Sequence, residues 1–227
     1  MNHNTQDVQV PSRLVITSWN VRGLNDQERK LKVKDFVRKE KPLILALQET
    51  KLTNNKMKLA ASSIMPSYSF IASQGRGGGG TTLFFHPTIS VRESGRLSDG
   101  NLTWAREDFQ GHSLHIAVVY SPHTPGLRAQ FWKRLNQLLP FWKWILVGDW
   151  NIVERPEQTS GFRNHMAGVE ETNFRSLKHN SRSLMPSTWS RKEVDCATLV
   201  TSPTVQNSVG RPWIGFTYLL TLPGLKP

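Results

Sequence analysis

The stretch that decides the fold is WILVGDWN, residues 144–151. Its first four residues form an apolar run that ends at Gly148, and such a run predicts a short buried strand. Asp149 and Asn151 follow where this strand leaves its sheet, and chemistry in open α/β sheets gathers at the carboxyl ends of strands. Residues two apart in an extended segment point to the same side, so both side chains can face one substrate. An Asx turn that closes the strand explains this pair equally well when the pair is taken alone.

Other apolar runs also end in polar residues. The run 14–19 ends at Asn20, and the run 43–47 is followed one residue later by Glu49. A strand in the middle of the chain ends at Tyr120. Oxygen ligands of this kind suit Mg²⁺, which binds through one or two carboxylates and keeps several waters. Glu49 is the stronger candidate ligand because a charge beside a buried strand is costly without a partner, although a solvent-facing strand-end carboxylate fits the same pattern.

Strands alternate with amphipathic helices along most of the chain. Strands are predicted at 14–19, 43–47, 68–72, 81–85, 102–109, 114–120 and 144–147, and helices over 29–39, from 54 or 55 to 64, near 131–139 and over 169–177. Residues 110–112 indicate a hairpin between two of the strands, and 154–168 is predicted to be a polar loop. Alternation with a hairpin section predicts an α/β layered architecture, in which mixed sheets are covered by helices.

Composition points to one globular domain with an anionic partner. The chain has 227 residues, 37% of them hydrophobic, which is enough for a sizeable core. It carries 29 Lys and Arg against 17 Asp and Glu, a net charge of +12. The basic residues are spread along the chain, which favours a charged face that binds a polyanion such as DNA. A basic protein without such a partner would have the same composition.

The sequence predicts neither a secretory signal peptide nor a membrane span. The first ten residues are polar and lack the apolar core of a signal peptide. No apolar run approaches the roughly 20 residues that a membrane span needs. Cys196 is the only cysteine, so an internal disulfide and a thiolate zinc site are excluded. We therefore expect a nuclear or cytoplasmic protein that is not secreted, has no membrane partner and is a monomer.

Four short motifs occur in a fixed order along the chain. They are SWNVRGL at 18–24, LQETK at 47–51, VYSP at 119–122 and GDWN at 148–151. Together they resemble the endonuclease/exonuclease/phosphatase family, and in particular the apurinic-type endonuclease domain of non-LTR (LINE-type) retrotransposons. The resemblance covers residues 14–190. A glycine-rich stretch at 75–78 adds to it, and a nucleotide P-loop is excluded there because no Gly-Lys-Ser/Thr follows.

The resemblance implies a four-layer sandwich, in which two mixed β-sheets pack face to face with helices outside. It also implies a metal-dependent endonuclease that hydrolyses phosphodiester bonds of DNA with Mg²⁺ or Mn²⁺. By position, Asn20 and Glu49 would hold the metal, Tyr120 would contact the scissile phosphate, Asp149 would orient or deprotonate the attacking water, and Asn151 would bind a phosphate oxygen. The chemistry agrees, since phosphodiester hydrolysis needs a water in line, a cation and donors for the phosphate oxygens. The role of Arg22 is left open.

The end of the chain departs from the family pattern. The family closes with a Ser-Arg-x-Asp-like strand and a late Ser-Asp-His, but no Ser-Asp-His follows Asp149. Asp195 is the candidate for the aspartate that orients the family's histidine, although its register does not fit cleanly. The likeness is lost after Cys196. We predict a disordered tail at 1–10, a truncated family domain at 11–196 and a divergent, poorly structured tail at 197–227.

A domain cut short or frameshifted near Cys196 would lack strands of one sheet and the histidine that works on the phosphate. Loss of a positioned acid or base lowers the rate by about 10² to 10⁴, which predicts weak or no nicking, and missing strands would leave a sheet edge open. In an alternative, His165 or His179 substitutes. Two other functions fit the sequence, namely a non-catalytic nucleic-acid-binding remnant and a phosphatase or phosphodiesterase for a small molecule. The net charge favours a duplex backbone over a small substrate.

Overall fold

The computed structural model describes residues 14–75, 78–109, 111–138, 144–151, 171–176, 197–198 and 215–220. Its strands are β1 (Leu14–Asn20), β2 (Ile44–Gln48), β3 (Ser69–Ser73), β4 (Thr81–Phe85), β5 (Ser90–Arg96), β6 (Leu102–Phe109), β7 (His112–Tyr120), β8 (Trp144–Asp149), β9 (Ala197–Thr198) and β10 (Gly215–Leu220). Its helices are α1 (Gln27–Glu40), α2 (Asn54–Ile64) and α3 (Pro125–Leu138), and 171–176 is also helical. Within these ranges, no helix combines the length and apolarity required to cross a bilayer.

The strands form two mixed sheets. One has six strands in the order β3-β4-β2-β1-β10-β9, and the other has four in the order β5-β6-β7-β8. Each sheet contains one parallel pair, β1 with β2 in the first and β7 with β8 in the second. The remaining pairs are antiparallel. Both parallel pairs therefore direct two carboxyl ends to the same edge of their sheet, where the predicted site residues lie.

Three apolar clusters separate four layers. The cluster between the sheets takes alternate residues from both, including Ile16, Ile44, Leu83, Ile116 and Val147. A second cluster packs the outer face of the six-stranded sheet against α1 and α2, and a third packs the outer face of the four-stranded sheet against α3. The period of two along a strand explains how neighbouring residues serve different layers. The four-layer sandwich with helices outside is thus confirmed.

The edge strand β5 is absent from the sequence prediction. Its residues are mostly exposed and lack apolar alternation, so the usual strand signal is missing. It is held by pairing with β6, with a register shift between Val91 and Glu93. A pattern that depends on a buried face cannot detect a strand that has little buried surface.

The end of the chain also differs from expectation. No strand was predicted beyond residue 196, yet β9 and β10 lie there, and β10 pairs antiparallel with β1 over six residue pairs, from Leu14↔Leu220 to Trp19↔Gly215. The short run 216–220 is rich in aromatic and β-branched or aliphatic residues that suit a strand. In this arrangement β1 is not an open edge. The domain boundary at 196 stays a prediction. The predictions for 1–10, the loop 154–168, His165, His179 and Asp195 concern residues outside the described ranges.

Candidate active site

Strand alternation directs three predicted site residues into the gap between the sheets. Ile16 on β1, Val118 on β7 and Val147 on β8 all belong to the inter-sheet cluster. Asn20, Tyr120 and Asp149 stand an even number of residues further along the same strands, so their side chains point to the same face. The apolar core thus ends in a polar layer at one edge of the sandwich.

Asn20 joins the two sheets at this edge. Its side-chain nitrogen donates to Oε1 of Glu49 at 2.9 Å and to Oδ2 of Asp149 at 2.7 Å. Its oxygen accepts the backbone N–H of Arg22 at 3.0 Å. The residue is only 7% exposed, so the amide is fully engaged in a buried position. One buried amide therefore places two carboxylates within two hydrogen-bond lengths of each other.

Glu49 lies just beyond β2 in a left-handed backbone conformation, with φ of 52°. Burial alone would raise the pKa of its carboxyl group. Hydrogen bonds from Asn20, Lys51 and Tyr120, together with the charge of Lys51, outweigh burial and lower the pKa. The ammonium group of Lys51 is 3.2 Å from Oε2. Glu49 is therefore an ionised, half-buried group, which is the state that a cation ligand needs.

The phenol of Tyr120 completes this side of the site. Burial, followed by the charge of Glu49 and a hydrogen bond to it, raises the pKa of Tyr120, so the phenol stays neutral. Its Oη also lies 3.0 Å from Nε2 of the exposed His123. A neutral phenol that donates to Glu49 can still accept a hydrogen bond, and it can donate to a phosphate oxygen if a substrate displaces that contact.

Asp149 and Asn151 are held as one turn. The backbone N–H of Asn151 donates to Oδ1 of Asp149 at 3.0 Å, and the side-chain nitrogen of Asn151 donates to the carbonyl of Ser121 at 2.6 Å. Asn151 has φ of 49°, a conformation that asparagine tolerates better than most residues. The Asx-turn interpretation is thus correct for the local geometry, and the same turn brings both side chains to the site.

Arg128 holds this turn through hydrogen bonds to the backbone. Its Nη1 donates to the carbonyl of Asn151 at 2.9 Å and to the carbonyl of His123 at 2.7 Å. The residue is 1% exposed, although it is an arginine on α3. It shares the buried face of the helix with Trp132 and Leu135. A guanidinium buried at this point links the loop after β7 to the loop after β8.

Sequence reasoning missed Lys51, His123 and Arg128. Lys51 and His123 stand within or next to two of the quoted motifs, so a scan for polar residues close to each strand end would have found them. Arg128 has a subtler signal, since it occupies a position three to four residues before Phe131 and Trp132 on the apolar face of α3. A charged residue in an apolar stripe indicates a buried partner.

The predicted site residues differ in how far the structure describes them. Asn20, Glu49, Tyr120, Asp149 and Asn151 come together at one edge, and Asp195 lies outside the described residues. In the described ranges, no three His, Cys, Asp or Glu side chains form a cluster that could hold a metal ion. Glu49 nevertheless fits a hard cation such as Mg²⁺, because one carboxylate can suffice when an amide oxygen, waters and a substrate phosphate complete the shell. The amide oxygen of Asn20, the other predicted ligand, accepts the N–H of Arg22.

Comparison with protein families decides the classification. The model of the endonuclease/exonuclease/phosphatase family matches residues 17–213. The chain belongs to this family. The match extends past the last residue of the quoted motifs, and no curated protein sequence matches the chain. Membership makes nuclease and hydrolase chemistry the general class in which this site is to be understood, and nucleases of the family generally use a divalent metal.

Solved structures show the same fold in other members of the family. A TDP2 from D. rerio, humanised by 14 mutations, is 20% identical with a TM-score of 0.62, covering 93% of this chain and 100% of that one. An AP endonuclease from Archaeoglobus fulgidus is 18% identical with a TM-score of 0.60, covering 92% and 86%. A family protein from Bacteroides vulgatus is 15% identical with a TM-score of 0.56, covering 92% and 87%. At such low identities, the TM-scores show that the fold is shared.

Proposed function

We propose that the protein is a divalent-metal-dependent endonuclease that nicks DNA, of the type found in non-LTR retrotransposons. The observation that carries this proposal is the junction at Asn20, which brings Glu49 and Asp149 from different sheets onto one amide. Tyr120 and Asn151 flank the same junction. Carboxylates, an amide and a phenol at one sheet edge form the set that phosphodiester hydrolysis needs.

Asn20 and Glu49 would hold the cation, which we propose to be Mg²⁺ or Mn²⁺, once the amide of Asn20 turns so that its oxygen, now on the N–H of Arg22, faces Glu49 in place of its nitrogen. Bound there, it would supply positive charge to a phosphate oxygen and so stabilise the charge that develops during cleavage. Glu49 is suited to this role because its pKa is lowered. Lys51 lies on the other oxygen of Glu49 and adds positive charge on the same side of the site.

Asp149 would orient the attacking water and accept its proton. Its two oxygens are fixed by Asn20 and by the backbone of Asn151, which sets the direction of the remaining lone pairs. The side chain of Asn151 donates to the carbonyl of Ser121 and also hydrogen-bonds to Tyr120. A phosphate oxygen that replaces the phenol would receive the second amide hydrogen. Tyr120 would donate its phenolic hydrogen to the scissile phosphate.

The substrate is proposed to be DNA because of the net positive charge of the chain and its structural similarity to an AP endonuclease. A net charge of +12 suits a duplex with one negative charge per roughly 1.7 Å of helix axis. One structural relative is named an AP endonuclease, which supports nuclease chemistry on this fold. The retrotransposon type rests on the four sequence motifs. Action on DNA agrees with residence in the nucleus or cytoplasm, and we propose that the monomer acts alone.

The missing closing motif sets the expected rate. No Ser-Asp-His follows Asp149, so the group that works on the phosphate from that side in the family is not supplied by this motif. We expect a rate about 10² to 10⁴ below that of a complete member. The proposal therefore predicts slow nicking that requires a long incubation and a high enzyme concentration.

Nicking of supercoiled plasmid with Mg²⁺ tests the proposal. Glu49→Gln and Asp149→Asn keep the size of each side chain and remove its charge, and Glu93→Gln makes the same change on the exposed face of β5. We expect nicking by the wild type and by Glu93→Gln, and loss in the other two. Equal nicking by all four would refute the site. Salt-sensitive binding without nicking would instead support the non-catalytic remnant.

A further inference from the structure

The turn after β1 carries an arginine in a conformation that is unusual for a long side chain. Arg22 has φ of 51°, in the left-handed region that few residues other than glycine and asparagine adopt. Its N–H donates to Asn20 at 3.0 Å, and its carbonyl accepts from Nη1 of Arg29. The backbone of Arg22 is therefore held from both sides. Such strain persists where surrounding structure fixes it, and it is concentrated at functional sites.

Two further cations lie against the same turn. Gly23 has φ of 108°, and a Cβ built on it would meet Nη1 of Arg29 at 3.2 Å and Cδ of Lys51 at 3.4 Å. The side chains of Arg29 and Lys51 thus flank Gly23 closely. We call Arg22, Arg29 and Lys51 the Gly23 cation cluster. It is built from the residues after β1 and β2 and from the first turn of α1, and it adjoins Glu49, which is 3.2 Å from Lys51.

The three cations differ in how they are engaged. Arg29 donates hydrogen bonds to the carbonyls of Arg22 and Gly23. Lys51 forms an ion pair with Glu49. The guanidinium of the exposed Arg22 has no hydrogen bond or ion pair to any other part of the chain that the structure describes. An anion placed beside Arg22 would satisfy its five N–H donors.

We propose that Arg22 binds a phosphate group of the DNA backbone, next to the phosphate that is cleaved. This inference rests on the proposed function, since it assumes that the carboxylates beside Asn20 act on DNA. The scissile phosphate would be enclosed by Glu49, Tyr120 and Asn151. The backbone N–H of Arg22 lies on the amide oxygen of Asn20, whereas the amide nitrogen faces the two carboxylates. A guanidinium binds two phosphate oxygens at once through its planar fork, so Arg22 would fix the register of the strand as well as add affinity.

Salt-dependent DNA binding without metal tests the inference independently of cleavage. Arg22→Gln removes the charge and the fork, and Arg22→Lys keeps only the charge. Lys58→Gln is the matched control, because Lys58 is an exposed cation on α2 without an ion pair in the described ranges. For Arg22→Gln we expect the slope of log K against log[salt] to become shallower by about one. Lys58→Gln should bind as the wild type does, and Arg22→Lys should be intermediate.

A second measurement does not depend on the folding of any variant. In the wild type, the NMR signal of the Arg22 Nε–H should shift when a short duplex is added, and excess inorganic phosphate should reduce that shift. A wild-type slope in Arg22→Gln, or an Arg22 signal that DNA leaves in place, would overturn the inference while leaving the proposed nicking intact. DNA binding that needs Arg22 without any nicking would support the contact of Arg22 with a backbone phosphate and refute the catalytic proposal.

Discussion

The side-chain nitrogen of Asn20 lies 2.7 Å from Oδ2 of Asp149, and this contact joins the end of β1 in one sheet to the end of β8 in the other. The same nitrogen is 2.9 Å from Glu49. Without a donor between them, two carboxylates so close would repel each other and move apart. Asn20 is therefore the residue that keeps the two halves of the site in register.

Asn20→Ala should strongly reduce the rate of nicking in a protein that still folds. The change removes the shared donor, so Glu49 and Asp149 separate, and misplacement of about 1 Å can lower a rate about 10²-fold. Asn136→Ala is the control. Asn136 lies on α3, and its side-chain nitrogen also makes a partly buried hydrogen bond, to the carbonyl of Asn173 at 3.0 Å. Plasmid nicking and urea denaturation measure the two effects. Wild-type nicking by folded Asn20→Ala would contradict the bridging role.

Arg128→Ala should lower both stability and nicking. The buried guanidinium donates to the carbonyls of Asn151 and His123, and each buried acceptor left without a partner costs about 1–3 kcal/mol. Release of the loop after β8 also frees Asn151 from its fixed position. Urea denaturation followed by circular dichroism gives the free energy of unfolding, and plasmid nicking gives the activity.

Arg134→Ala is the control for Arg128→Ala. Arg134 is on the same helix, but it is half exposed and forms a long ion pair of 3.4 Å with Asp99. We expect a change within about 0.5 kcal/mol. A free energy of unfolding for Arg128→Ala that equals the one for Arg134→Ala would show that the buried arginine does not hold the two loops.

Most of the fold and the centre of the site were predictable from the sequence, because they depend on local patterns. The stretches before Asn20, Glu49 and Asp149 are mostly apolar and buried and end in polar residues, so both the strands and their ends are visible in the sequence. Strand β5 carries no such pattern because its surface is mostly exposed. Strand β10 depends on its partner, since it gains its hydrogen bonds from β1, which is about 200 residues away.

The contacts among the site residues could not be predicted from the sequence, for a different reason. The bond between Asn20 and Asp149 crosses from one sheet to the other, and no spacing along the chain encodes how two sheets stack. The buried arginine illustrates the same limit, because a charge on the apolar face of α3 indicates a partner without saying which one. Only the packed structure identifies the carbonyls of Asn151 and His123 as that partner.

Gly148→Ala should destabilise the protein strongly. Gly148 has φ of 141°, and a Cβ there would lie 1.9 Å from the carbonyl oxygen of Val119, its partner on β7. The clash is with backbone, so β7 and β8 must separate where Tyr120 faces Asp149. We expect a loss of about 3 kcal/mol or more in the free energy of unfolding. Urea denaturation provides the measurement.

Gly126→Ala is the matched control, since a Cβ at Gly126 meets nothing within 4 Å. The residue lies in the first turn of α3, where alanine should be neutral or stabilise by about 0.4–1 kcal/mol. Similar unfolding midpoints for the two glycine variants would mean that the close approach of β7 to β8 is not as tight as the structure indicates.

The free energy of unfolding should fall as the pH rises, because of Glu107. This residue is fully buried on β6, and neither carboxylate oxygen has a hydrogen-bond partner in the described ranges. Burial raises its pKa from 4.5 to about 8. The folded state therefore binds a proton that the unfolded chain has released, so the stabilisation is complete below pH 4.5 and is lost as the pH rises through about 8.

Glu107→Gln should remove this dependence, because an amide stays neutral throughout. The slope that disappears is at most about 1.4 kcal/mol per pH unit, and the variant should be the more stable protein at high pH. Urea denaturation of both proteins at about pH 5.5 and about pH 8 measures it, and the difference between them cancels the titration of the histidines. Glu93→Gln, on the exposed face of the adjacent strand β5, should follow the wild type. Parallel stability profiles for Glu107→Gln and the wild type would mean that Glu107 is ionised in the folded protein and is paired or hydrated.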